Sequence, residues 1–369
     1  MFLIFNFGCV ELDRVERVYR ALSIEEPDRV PKGELQIHDE LVSALLGEPI
    51  DDWFKAHVRV RRRLNIDLVN TGLSGGPRVE LIGRSKGGYP IYRDYFGNEW
   101  VESGKTKTYL RHALNAPEDF KSFRMPDISM YNAENIRRWS RETDFCVFAQ
   151  VGGAFDSVYP LMGLTGYVKA LYQYPDLLRG VVEEVCRFEL EVIKLFAEAG
   201  AHVILIGDDL SYDKGPFISL KHLREFVFPY VSREVDLIHK LGLPAVFHCD
   251  GNVTPIIEDI VKAGFNGIHS LQPNAGVNIV SIKRGWGDKI CLMGNLDLDY
   301  LLTLGSPSEV GAEVKRLIRE VAPGGGYMLS TTNVLTRYVP PENALAMYET
   351  ADKYGKYPIK VSRLKAEST

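Results

Sequence analysis

The sequence predicts a (β/α)8 barrel, a TIM barrel, with one long hairpin-containing insertion after its second strand. Three observations predict it. From about residue 145 onward, short apolar runs alternate with longer helical patterns. The runs are apolar throughout rather than at every second position, as parallel strands covered on both faces are. Their number reaches eight, which favours a barrel over an open doubly wound sheet.

The first two strands are residues 33–38 (GELQIH) and 66–71 (IDLVNT), separated by a helical stretch from Asp39 to Leu64. Six more follow at 145–151 (FCVFAQV), 202–207 (HVILIG), 244–248 (PAVFH), 267–271 (GIHSL), 289–294 (KICLMG) and 326–330 (GYMLS). Gly, Pro, Asn or Asp bounds each run. The helices between them carry readable starts: Ser219 before 220–226, Ser306-Pro307-Ser308-Glu309, and Pro340-Pro341-Glu342. Residues 72–144 are too long for an ordinary connection. Within them, 90–101 reads as a hairpin turning at Gly97-Asn98. Because the insertion leaves the C-terminal end of a strand, it is expected to wall or lid the barrel mouth. The whole chain, 1–369, reads as one barrel domain with residues 1–13 as an N-terminal extension. The apolar residues 1–10 lack both a preceding basic stretch and a small-residue cleavage site, so they do not read as an export signal.

Composition narrows the partners. Forty-four basic against 49 acidic residues give a net charge of −5, which argues against nucleic acid. Five cysteines, Cys9, Cys146, Cys186, Cys249 and Cys291, are scattered without a CxxC pair, the usage of a cytoplasmic protein. No apolar run reaches the roughly 20 residues that cross a bilayer, so no membrane partner is expected.

In a barrel, polar residues just past the strand ends converge on one mouth. Here they are His38, Asn70, Gln150, Asp156, Asp208 with Asp209, His248 with Cys249 and Asp250, His269 with Gln272, Asn295 with Asp297, and Thr332 with Asn333. The sharpest cluster is Phe247-His248-Cys249-Asp250-Gly251-Asn252. Imidazole, thiol and carboxylate at a buried strand end are groups that bind zinc or another borderline metal. Adjacent strand residues point to opposite faces. Either His248 and Asp250 share a metal with Cys249 facing away, or Cys249 binds alone where the strand has ended. Asp208 and Asp209 offer a base, a metal ligand or a partner for a substrate cation, and Asp156 follows a glycine pair where backbone approaches a ligand closely. Arg59, Arg61, Arg62 and Arg63 share one predicted helix and read as a solvated face; His57, His112, His222 and His239 read as surface. Gly324-Gly325-Gly326 precedes a strand and so lies at the opposite end from a phosphate cradle.

Several segments resemble the uroporphyrinogen decarboxylase-like superfamily: Arg17-Val18-Tyr19-Arg20-Ala21-Leu22, Pro27-Asp28-Arg29-Val30-Pro31, Phe247-His248-Cys249-Asp250-Gly251-Asn252, Gly294-Asn295-Leu296-Asp297, Ala322-Pro323-Gly324-Gly325-Gly326-Tyr327 and Pro341-Glu342-Asn343. The resemblance runs from about residue 14 to 355 and implies the same barrel. The decarboxylase branch, which is cofactor-free, carries an arginine-rich segment after the first strand; here that place reads Gln36-Ile37-His38-Asp39-Glu40. The chain is more similar to the corrinoid-dependent methyltransferases. Members acting on coenzyme M bind zinc through His-x-Cys and a later Cys. His248 matches that histidine, while Asp250 and Gly325 stand where the cysteines would be. The resemblance therefore turns towards relatives that demethylate methoxylated aromatics or methylamines. It implies a small methylated substrate, a metal such as zinc, and cobalamin carried by a separate corrinoid protein docked at the mouth. It implies roles as well. His248 activates the leaving group, with Asp250 as a further ligand and Cys249 as the open alternative. Asp208 or Asp209 completes the metal shell or relays a proton. Asp156, Gln150 and Asn333 orient the substrate, with His38, His269 and Asn295 lining its pocket. A cofactor-free decarboxylase or lyase is the alternative.

Overall fold

The computed structural model describes residues 11–104 and 106–362. Residues 1–10, read above as an extension, lie outside the described residues. Seven parallel strands form one curled sheet in chain order: β1 (Leu68–Thr71), β2 (Cys146–Gly152), β3 (Val203–Gly207), β4 (Ala245–Cys249), β5 (Gly267–Ser270), β6 (Cys291–Gly294) and β7 (Tyr327–Met328). Every neighbouring pair is parallel, with helices on the outside, so the fold is TIM-barrel-like.

The expected first strand at 33–38 is not a regular strand. It is an irregular stave that closes the barrel through isolated bridges, Lys32 to Leu329 and Ile37 to Leu335. The Gly33 N–H donates to the Leu329 carbonyl (2.8 Å), and on the other side the Asp67 N–H donates to the Lys32 carbonyl (2.7 Å). Pro31 has no N–H to give a ladder. Gly33 is wedged so tightly that a Cβ would meet Met293 at 2.7 Å and Leu68 at 2.8 Å. The helical stretch 39–64 is two helices, α2 (Asp39–Leu46) and α3 (Trp53–Arg63), parted at the left-handed Gly47. The first helix, α1 (Arg14–Leu22), plugs the N-terminal end of the barrel.

Alternation along the strands sorts the core into two. Leu68, Cys146, Phe148, Val203, Leu205, Val246, Cys291, Met293 and Met328 fill the interior with Val18, Ala21 and Leu22 of α1. Val69, Val147, Ala149, Ile204, Ile206, Phe247, Cys249, Ile268 and Leu292 face the helices. Each fully buried Leu, Val, Phe or Met contributes about 1.5–3 kcal/mol of transfer free energy.

The insertion is built as a four-stranded antiparallel meander, Glu80–Arg84, Pro90–Arg93, Glu99–Ser103 and Thr106–Arg111. The expected turn is there, its Asp94 carboxylate accepting the N–H groups of Phe96 and Asn98. The insertion then leans on helix α4 (Tyr159–Gln173): His112 Nδ1 donates to the Pro160 carbonyl (2.8 Å) and the Leu114 N–H to the Leu161 carbonyl (2.8 Å).

The seam is locked by Asp67, which is completely buried. Its carboxylate accepts Arg17 Nη1 (2.8 Å), Arg29 Nη2 and Nη1 (2.7 and 2.8 Å) and the Lys32 N–H (2.8 Å). Arg17 also forks Asp28; burial opposes ionisation of that carboxyl, and the Arg17 pair outweighs it, holding Asp28 below the usual range. Removing one partner of a buried ion network leaves uncompensated charge, so Asp67→Ala is expected to cost about 3–5 kcal/mol. Denaturant unfolding checks this as a lowered midpoint at unchanged slope; a loss below about 1 kcal/mol, the worth of a surface pair, would refute a locking role.

Candidate active site

At the C-terminal end the inward positions turn polar: Asn70, Gln150, His248 and His269 continue the interior rows of β1, β2, β4 and β5. His248 and His269 are register partners on adjacent strands. Their Nδ1 atoms lie 2.8 Å apart, and His269 Nε2 lies 3.1 Å from the Thr331 carbonyl. A carbonyl only accepts, so His269 carries its proton on Nε2. Burial, reinforced by the neighbouring His248, holds His269 well below the ordinary imidazole range, so it is neutral and its Nδ1 is a lone pair. His248 Nδ1–H therefore donates to it, and in the neutral form of His248 the lone pair sits on Nε2, on the mouth side.

That lone pair faces two carboxylates. Asp209 Oδ1 is 4.0 Å and Asp250 Oδ1 3.8 Å from His248 Nε2. One ligand atom from each of the three side chains lies within 4.8 Å of the other two. Asp209 Oδ1 accepts the Asp250 N–H (2.8 Å), and Asp250 Oδ2 accepts Asn333 Nδ2 (2.7 Å). Asp250 Oδ1 is buried with no hydrogen-bond partner among the described residues. Three electron-rich atoms converging on one point repel one another unless a cation or a proton lies between them. One imidazole oriented through its other nitrogen, with two carboxylates, fits a divalent metal. Burial, with Asp209 beside it, pushes the Asp156 carboxyl up to about 6.

The family profile of uroporphyrinogen decarboxylase (URO-D) matches residues 99–354, more than half of the chain. The chain belongs to the uroporphyrinogen decarboxylase family. It is 28% identical over 182 residues to the uroporphyrinogen decarboxylase of Geobacter sulfurreducens (49% of this chain, 50% of that one). It is 26% identical over 183 residues to that of Nitrosomonas europaea (48% and 49%). The chain thus spans about half the length of the curated relatives it matches. A methyltransferase from Methanosarcina mazei shares the fold, with a TM-score of 0.71 at 19% identity, covering 93% of this chain and 99% of that one.

Within this family member, the structure separates the residues expected at the mouth. His248, Asp209 and Asp250 come together, with Asn333 behind Asp250. Cys249 does not join them: it has the opposite parity on β4, is fully buried, and its sulfur lies 3.3 Å from the Leu210 N–H. Burial pushes its thiol well above the ordinary range. Asp208 is buried away from the cluster and is a staple: its Oδ1 accepts the N–H groups of Phe155 (3.1 Å) and Asp156 (2.7 Å). His269 stands behind His248, fully buried, and touches no open space. Asn295, also buried, adopts a left-handed φ of 68° and ties its amide to the Leu271 carbonyl. His38 caps α2 through its backbone and lines a cavity of about 900 Å³, as do Gln150, which accepts Asn70 Nδ2 (2.7 Å), and Asp156. Asp156 also borders a second pocket of about 350 Å³, shared with Asp209, Asp250, Phe155, Tyr159 and Phe217.

Two residues read from sequence as surface line the larger cavity instead. His57 and Arg61 are 2% and 3% exposed. The signal lay in their spacing: with Phe54, Val60 and Leu64 they form the apolar stripe of α3, repeating every three or four positions.

Metal titration followed by calorimetry tests the cluster. Asp250→Ala is expected to weaken zinc binding by about 100-fold or more, and His269→Leu, which frees His248 to rotate, by about 10–100-fold. Cys249→Ala is expected to leave it unchanged. Loss of zinc in the Cys249 variant would reinstate the thiol.

Proposed function

We propose that this chain is a methyltransferase moving a methyl group from a small methylated compound, of the methoxylated aromatic or methylamine type, to a corrinoid protein. The observation that carries the reading is the aim of His248 Nε2, fixed by His269, at the Asp209 and Asp250 carboxylates on the pocket floor. Those three side chains would hold a divalent metal such as zinc, which would supply Lewis acidity to the oxygen or nitrogen that loses the methyl group. Asn333 fixes the second oxygen of Asp250. Asp156 holds a proton at its carboxyl for the departing atom, which keeps the bonding electrons and takes that proton. Phe155, Tyr159 and Phe217 offer flat faces to the substrate. The acceptor would be the reduced cobalamin of the separate protein, for which the barrel mouth, with the 72–144 insertion as one wall, would be the docking face.

A second reading is favoured by the curated relatives, which are decarboxylases. Against it, Arg61 is the one arginine among the described residues that line the large cavity, and a tetrapyrrole polycarboxylate calls for several.

The test is a coupled assay with a purified corrinoid protein, read by the cobalamin absorption spectrum. Methyl transfer is expected only with the corrinoid protein present, and His248→Ala is expected to lower it by about 100-fold or more. Full activity in that variant ends the mechanism; substrate turnover with no corrinoid protein supports the lyase.

A further inference from the structure

The large cavity contains a cation that forms no ion pair among the described residues. Arg61 reaches it from α3 and makes a hydrogen bond from Nη1 to His57 Nδ1 (3.0 Å). Its Nε is buried without a partner, and among the described residues no carboxylate lies within 4 Å of the guanidinium. The supports around it are fixed. His57 Nε2–H donates to Asp39 Oδ1 (2.9 Å), so His57 Nδ1 accepts from Arg61, and Trp53 stacks on the His57 ring at 4.1 Å. Burial, then the neighbouring Arg61 charge, keeps His57 down at about 4, so it stays a neutral acceptor. The guanidinium face rests on Trp139, 5.7 Å from the ring centre. Glu34 is the carboxyl that faces Arg61 electrostatically. Its oxygens are taken by Thr331 Oγ1 (2.9 Å) and Tyr348 OH (3.2 Å), and burial pushes it up to about 8, so it is largely uncharged at neutral pH.

A buried, oriented and unpaired guanidinium is costly to maintain in a folded chain, and it is a ready-made fork for a planar anion. We infer that Arg61 is the anion-binding end of the substrate cavity and that the methylated substrate carries a carboxylate, which the Arg61 fork receives. This rests on the methyl-transfer reading for the word substrate, though not for the subsite itself. A single arginine, with Asp39 and Glu40 on the same walls, selects a monoanion over a phosphate dianion. The same cavity runs to Asp156, which borders the pocket of Asp209 and Asp250. One molecule therefore has its acid end at α3 and its methyl end towards His248.

Calorimetry and thermal shift with three acids, 3-methoxybenzoate, methoxyacetate and benzoate, each beside its neutral amide, test this on the metal-loaded protein. At least one acid is expected to bind about tenfold or more tightly than its amide. That preference is expected to vanish in Arg61→Met and to shrink several-fold in Arg61→Lys, which keeps the charge and loses the fork. No preference in any pair, or a preference that survives in either variant unchanged, overturns the subsite. The Arg61→Lys arm decides if Arg61→Met does not fold. The two readings fail separately: an Arg61-dependent acid preference without methyl transfer to a corrinoid protein sinks the transferase and leaves the subsite. Transfer from acid and amide alike, indifferent to Arg61, does the reverse.

Discussion

The barrel depends on one buried carboxylate at its seam. Seven strands pair in regular ladders, but the eighth stave is irregular, and its two sides are joined by few backbone hydrogen bonds. Asp67 makes up the difference by drawing in a guanidinium from α1, another from the stretch before the stave, and the stave's own N–H. Charge that is both buried and fully hydrogen-bonded tolerates no alternative geometry. Two segments that resemble the superfamily's opening thereby acquire a physical meaning: Arg17 comes from the first, Asp28 and Arg29 from the second; the two guanidiniums meet on Asp67 and Asp28 holds Arg17 from its other side.

Strand parity does the next piece of work. The rows that bury Phe148, Leu205 and Val246 inside the barrel deliver Gln150, Gly207 and His248 to its mouth two residues later, because side chains alternate with a period of two. The opposite row sends Cys249 into the helix layer. A single residue thus separates the mouth-facing imidazole from a core thiol. The connecting loop is shaped by buried acids. Asp208 takes two N–H groups of the turn that carries Asp156, and Glu189 accepts the Ser157 hydroxyl at 2.6 Å. Gly153 passes so close that a Cβ would sit 2.3 Å from Asp208, so the turn has room for no other residue there.

Much of this was legible in the sequence. Continuous apolar runs marked all seven regular strands, caps marked the helices, and the hairpin turn at Gly97-Asn98 followed from its residues. His248 and Asp250 were legible as a pair from the two-residue alternation. What was not legible depends on long-range contact. The stave at 33–38 carries a strand-like pattern, yet Pro31 and the wedged Gly33 deny it a ladder. Asp208 and Asp209 are chemically identical in sequence, and only the packing of the 152–158 turn makes one a staple and leaves the other facing His248. Arg61 sits among three other arginines, and a run of charge hides the one member that falls on the buried stripe of α3.

The bond from His269 to the Thr331 carbonyl has a consequence for traffic through the site. A chain of two imidazoles looks like a relay, but beyond His269 stand the Thr331 carbonyl and, at 3.3 Å, the Ser330 hydroxyl, and both residues are fully buried. The interior is a cul-de-sac. Any proton that His248 gains or loses must pass through its outer nitrogen, so the flow of charge in this barrel has a single entrance, on the side where the acids stand.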